Sequence, residues 1–208
     1  MDLVVATRSV HKMREIREIL GSVPDLRVLD LDEAGVPYDP AEEGLEPHDT
    51  FEANARSKAE YFHGKTGLPT VADDSGLAVD ALDGEPGVSS KRFAPDQGLE
   101  GQARDDANNL HLLRRLDGFG ADERAARYVC VAVLVDGRHS PVSVRGEAPG
   151  RILEGPRGEG GFGYDPLFYD PELDRTFAEI PEDVKNSRSH RGHAFRALAA
   201  TLHERADR

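Results

Sequence analysis

The chain has 208 residues, of which 38% are hydrophobic, and a formal net charge of −13. That length suits one domain with a sizeable core, and that acidity excludes broad surfaces for nucleic acid or anionic membranes, though a small anion could bind where cations gather. The longest apolar run, Val129 to Val135, is too short to cross a bilayer. The N-terminus lacks a basic stretch followed by an apolar signal segment, and the single cysteine, Cys130, excludes an intramolecular disulfide or a cysteine-based zinc cluster. A cytoplasmic protein is expected.

Asp2 to Ala6 reads as a short apolar strand. It leads through Thr7-Arg8-Ser9-Val10-His11-Lys12 into a helix from Met13 to Leu20, with Met13, Ile16, Ile19 and Leu20 on one face and Gly21 as its stop. A strand leading through a polar loop into a helix aims backbone N–H groups and the positive dipole end at that loop, which suits phosphate. A helix simply capped by Thr7 or Ser9 explains the same residues. Leu26 to Leu31 is a second strand. Residues 32–50, rich in Pro, Gly and acid, form a loop containing Glu42-Glu43-Gly44. Asp49 or Thr50 then caps a helix from Phe51 to Phe62, on which Asn54 and Lys58 share a face.

Thr70 to Val79, with Asp73-Asp74-Ser75-Gly76 at its centre, reads as strand, tight turn, strand. Extended backbone points successive side chains to opposite faces, so Asp73 and Asp74 cannot look the same way. One can enter a cleft while the other braces the turn, or both can be solvated turn residues. Residues 82–88 are turn-rich and 94–103 are loop. A helix from Arg104 to Leu116 turns Leu110, Leu113 and Leu116 inward. Tyr128 to Val135 is the near-continuous apolar run of a strand buried on both faces, and a hairpin at Asp136-Gly137-Arg138 leads to Pro141–Arg145.

Gly155 to Pro166 is glycine-rich. Gly158, Gly160 and Gly163 fit a dinucleotide-type spacing, but Pro166 suits no helix opening there. A loop that lets a ligand approach the backbone is the better reading, with Phe162 or Tyr164 as a stacking ring. The last helix begins near Ser187 or Ser189 and buries Ala194, Leu198 and Leu202; His190 and His193 lack the third ligand that zinc would need.

Lys12, Glu42 or Glu43, Asp74, Lys185, His190, Arg191 and an aromatic ring in a glycine loop together offer carboxylates for Mg2+, cations for phosphate, and a ring and donors for a base. No Gly-Lys-Ser/Thr phosphate loop is present. At this point the segments Ala72-Asp73-Asp74-Ser75-Gly76-Leu77, Gly160 to Phe168 and Ser189-His190-Arg191 carry a resemblance, joined by Ala6-Thr7 with Lys12, Glu42 to Gly44, Phe51 with Asn54-Ala55 and Lys58-Ala59, Gly84 to Arg92, Glu179 and Lys185. The sequence resembles the inosine/xanthosine triphosphate pyrophosphatase family, in the same order along nearly the whole chain.

The resemblance implies an α/β fold with an elongated mixed sheet and flanking helices. Residues 1–208 would form one pyrophosphatase domain of two lobes, with a nucleotide cleft between them, as a homodimer. It implies Mg2+-dependent hydrolysis of ITP, dITP and XTP to the monophosphate and pyrophosphate by water attack at the α-phosphorus. Thr7, Arg8, Ser9, Val10, His11 and Lys12 would bind the triphosphate, and Asp74 would hold Mg2+ or act as base. Ser75 would touch substrate. Glu42, or Glu43 if the register shifts by one, would complete the metal site. Phe162, Gly163, Tyr164, Asp165, Lys185, His190 and Arg191 would hold base and sugar. The chain departs from the family in carrying Arg8-Ser9 where Gly-Asn is common, and in a longer loop from Gly44 to Phe51. No nucleic acid or membrane partner is expected.

Overall fold

The computed structural model describes residues 1–95 and 98–206. Seven strands form one open mixed sheet in the order β2-β1-β3-β4-β5-β6-β7, comprising β1 (Asp2–Val5), β2 (Arg27–Leu29), β3 (Thr70–Val79), β4 (Ala125–Val135), β5 (Val142–Ile152), β6 (Phe168–Asp170) and β7 (Arg175–Thr176). Among the described residues five α-helices accompany them: α1 (Val10–Leu20), α2 (Phe51–Thr66), α3 (Gly101–Arg115), α4 (Glu182–Arg188) and α5 (His190–Ala206). β1 pairs in parallel with both β2 and β3, while β6 is antiparallel to β5 and β7.

The chain divides into two compact units. Residues 1–74, 130–146 and 190–208 make the first, and residues 75–129 and 147–189 the second. Each has its own core. In the first, Met13, Ile16 and Leu20 of α1 pack with Leu3, Val5, Val71, Cys130, Ala132 and Leu134 of the sheet and with Ala194, Phe195, Leu198 and Leu202 of α5. In the second, Leu112 and Leu116 close over Leu77, Val79, Tyr128, Ile152, Phe168 and Phe177. Phe168 and Phe177 lie 4.8 Å apart and tilted, with Tyr128 4.6 Å from Phe168.

Several expected boundaries move. Thr70 to Val79 is one unbroken strand, not strand, turn, strand, and every residue in it but Ser75 is buried. Turn-forming residue types yield here to burial, to the ion pairs of Asp73 and to the hydrogen bond Asp74 accepts from Asn54. α1 begins at Val10, three residues earlier than its apolar stripe suggests, because Ser9 caps it by accepting from the Lys12 amide. α3 begins at Gly101, inside the loop expected over 94–103, of which Asp96 and Gln97 lie outside the described residues. Its Leu110 points outward, 51% exposed. β5 continues to Ile152, well beyond Arg145.

Candidate active site

The first unit organises its charges around the two adjacent aspartates of β3, which do different work. Asp73 is 2% exposed and receives Lys12 Nζ at 2.9 Å and Arg191 Nε at 3.4 Å. The Cys130 thiol lies 3.8 Å from the same carboxylate oxygen. Burial alone would push Asp73 up, but Lys12 and Arg191 outweigh it and hold the carboxyl far below the usual range. Arg191 is itself 2% exposed and reaches Glu15 of α1 at 2.6 Å. The half-buried Lys12 and the buried Asp73, Arg191 and Glu15 are thus an alternating network joining α1, β3 and α5.

Asp74 has the opposite character. Its carboxyl is raised above the ordinary range, first by burial and then by the nearby Glu46 carboxylate, against the pull of Lys58. Asn54 donates to Asp74 Oδ2 at 2.9 Å. The same amide grips the backbone of His48, accepting from its N–H at 2.8 Å and donating to its carbonyl at 3.2 Å. One turn further along α2, Lys58 Nζ meets Glu46 and the Asp73 carbonyl oxygen, each at 2.5 Å. Burial works against the charge on Glu46, but Lys58 keeps its carboxyl below the ordinary range. A carboxyl poised upward beside a fixed cation and a second acid is the pattern of a general base.

Glu42 does not hold the place expected of it. It sits in a 3-10 turn, Pro40–Gly44, where it completes a capping box with Asp39 and pairs with Arg8 at 2.8 Å. Glu43 accepts from the Tyr38 hydroxyl. The acid that Asp74 feels is Glu46, four residues ahead of the α2 cap Thr50. An acidic residue leading into a helix whose inner face carries Asn54 and Lys58 was the available signal. Arg8 is likewise engaged, with Glu42, Asp32 and the Val36 carbonyl oxygen. Thr7 accepts from the Ser9 amide at 3.2 Å, and Val10 and His11 open α1 with their side chains exposed. Asp74 and Glu46 would be the two carboxylates offered to a hard divalent cation. Among the described residues no cluster of three or more His, Cys, Asp or Glu could hold a metal unaided.

The second unit holds the glycine loop. Asp165, 2% exposed, accepts from the Phe162 amide at 2.8 Å and from Lys185 Nζ at 2.5 Å. Lys185 also lies 4.6 Å from the centre of the Phe162 ring. A side chain at Gly161, where φ is +73°, would strike the Asp165 carboxylate at 2.1 Å, so only glycine fits. Of the two candidate rings, Tyr164 is buried and donates to the Ser90 carbonyl at 2.8 Å, which leaves Phe162 as the half-buried face. Sequence reasoning missed the support from α3. Asp105 accepts from the Gly163 N–H at 2.8 Å, and Asn109, one turn on, donates to its carbonyl at 2.9 Å. Ser75 belongs to this unit, whereas His190 and Arg191 open α5 in the first.

The mixed open sheet with its flanking helices defines an α/β protein, with a buried aspartate pair and a cationic helix start in the first unit and an aromatic glycine loop in the second. Residues 3–201 match the Ham1 family, and the chain belongs to it. It is similar to the dITP/XTP pyrophosphatase of Geobacter sulfurreducens, at 46% identity over 94% of both chains. It is also similar to that of Thermus thermophilus, at 46% identity over 95% of this chain and 90% of the other. The structure of the Staphylococcus aureus Ham1 protein superposes with a TM-score of 0.84 at 35% identity, covering 99% of this chain and all of that one (100%).

Proposed function

We propose that the chain is a nucleoside triphosphate pyrophosphatase that hydrolyses non-standard purine nucleotides, ITP, dITP and XTP, to the monophosphate and pyrophosphate. The observation that carries the reading is the Asp74 carboxyl, raised by burial and Glu46 and fixed by Asn54. Full-length likeness to proteins named dITP/XTP pyrophosphatase supports the choice of substrate.

Asp74 takes the proton of a water whose oxygen bonds to the α-phosphorus as the α–β bridging bond breaks, and pyrophosphate departs with that electron pair. A well-placed carboxylate base contributes about 10²–10⁴-fold. The amides that open α1 and the Lys12 ammonium face the phosphate tail, and Lys12 is steadied by Asp73. Asp74 and Glu46, the latter in place of Glu42, would hold Mg2+, which when bound neutralises charge on the phosphoryl oxygens. Phe162 offers a ring face to the purine, and Lys185 and Asp165 fix that ring and its loop. His190 and Ser75 complete the contacts to base and sugar. Arg191, engaged with Glu15 and Asp73, supports the site from beneath. The chain acts as one domain of two lobes, as a homodimer, in the cytoplasm beside the nucleotide pool.

The test is turnover of ITP, XTP, dITP, ATP, GTP and dTTP with Mg2+, scoring pyrophosphate and orthophosphate separately. Pyrophosphate from ITP, dITP and XTP, with ATP and GTP nearly untouched, is the expected result, and Asp74→Asn abolishes it while nucleotide still binds. Orthophosphate alone, or indifference to the base, overturns the assignment.

A further inference from the structure

Arg8 lies in the loop between β1 and α1, beside the phosphate-facing amides, and a free guanidinium there would be a natural phosphate ligand. Its donors are directed elsewhere. Nε and Nη2 make a two-pronged bond to Glu42, at 3.0 and 2.8 Å. Nη1 donates to Asp32 at 3.1 Å, and Nη2 also reaches the Val36 carbonyl oxygen at 3.0 Å. The bidentate form is the strong, geometrically exacting one, and it satisfies nearly the whole fork.

The far side of this contact is a strap over residues 32–48. Glu42 receives the Asp39 amide in the capping box. Asp39 in turn accepts from Tyr61 at 3.2 Å and from Lys65 at 3.0 Å, both on α2. A few residues on, the strap delivers Glu46 to Lys58 and the His48 backbone to Asn54, the residue that fixes Asp74. One end of the strap is therefore tied to the phosphate loop and the other to the acid pair.

We infer that Arg8 is a positioning residue: it clamps the strap through Glu42 and thereby sets where Glu46 stands beside Asp74, rather than holding a phosphate itself. The inference rests on the pyrophosphatase reading for its consequence in turnover, but the clamp is a property of the protein without nucleotide.

The experiment is a double-mutant cycle on Arg8→Gln and Glu42→Gln with Arg8→Lys alongside, read in two ways. Without nucleotide, backbone hydrogen exchange over residues 36–46 rises in both single variants and no further in the double variant. With Mg2+ and ITP, KM rises about five- to tenfold in each single variant while kcat changes less, and the double variant matches the singles, the signature of coupled residues. Arg8→Lys behaves like Arg8→Gln, because a point charge cannot replace the fork. Additive effects on KM, unchanged exchange in the strap, or full rescue by lysine would each overturn the clamp and return Arg8 to the phosphate. Should ITP not turn over at all, the exchange cycle still decides the clamp, so the two readings fail separately.

Discussion

Asn54 and Asp74 are joined by a 2.9 Å hydrogen bond between α2 and β3, and the same amide closes both polar groups of the His48 backbone. Asn54 itself is 1% exposed. Asn54→Ala removes one hydrogen bond from the buried Asp74 carboxylate and two from the His48 backbone, at about 1 kcal/mol for each bond lost. The expected outcome is a lower melting temperature together with a fall in kcat, because Asp74 is no longer held. A variant that melts lower yet keeps full kcat would make Asn54 purely structural.

Arg191 tests how the Ser-His-Arg segment is used. Its guanidinium is buried between Glu15 and Asp73, so removal breaks a buried ion pair, at about 3–5 kcal/mol. Arg191→Met should therefore lower stability steeply in denaturant titrations. Below its melting range, its ratio of kcat/KM for ITP over ATP should stay at the wild-type value. A collapsed ratio in a variant of unchanged stability would put the guanidinium on the purine instead.

Where a single pattern governs an element, the sequence announces it. Val129 to Val135 needs only its apolar run, and α2 only the Thr50 cap and the Phe51, Ala55, Ala59 stripe. β3 misleads because Asp, Ser and Gly favour turns in isolation. Lys12, Arg191 and Asn54 make those carboxylates tolerable inside a sheet, and none of the three is near them in sequence. The site divides the same way. Of the candidate residues, Asp74, Lys12 and the Phe162 loop stand out as local motifs, whereas Glu46 has only the weaker signal of an acid leading into α2, because its place depends on how the strap is tied down. α4, β6 and β7 are too short to carry a period of their own.

The glycine loop should depend on α3 in a way that activity can report. Asp105 and Asn109 hold the N–H and carbonyl of Gly163, next to the Phe162 ring. Gly163 itself has φ of +63°, a conformation an unsupported loop samples among many others. Asp105→Ala should raise KM for ITP about tenfold, as expected when an ordered loop must be organised by the ligand, with a smaller change in kcat. The change should be matched by Asn109→Ala and should not be doubled when both are made, since either loss frees the same residue, Gly163. Equal falls in kcat and kcat/KM would instead place Asp105 in the transition state.

Asp136 provides a pH test remote from catalysis. Burial raises its carboxyl, but the His139 ring and the Arg138 and His139 amides outweigh that and bring it down to about 2. The ring contact is 2.8 Å and the two amide bonds are 2.9 Å each. An unfolded aspartate titrates near pH ~3.9, so the folded form binds its proton less readily than the unfolded one. The contribution of this hairpin turn to stability is thus complete above about pH 4 and is lost as pH falls toward 2. Asp136→Asn removes the ionisation, so the difference in unfolding free energy between wild type and variant reports what the carboxylate contributes. It should narrow below about pH 4. Chemical denaturation across that range reads it directly, and a difference that is flat down to pH ~2.5 would mean the turn is held by its backbone alone.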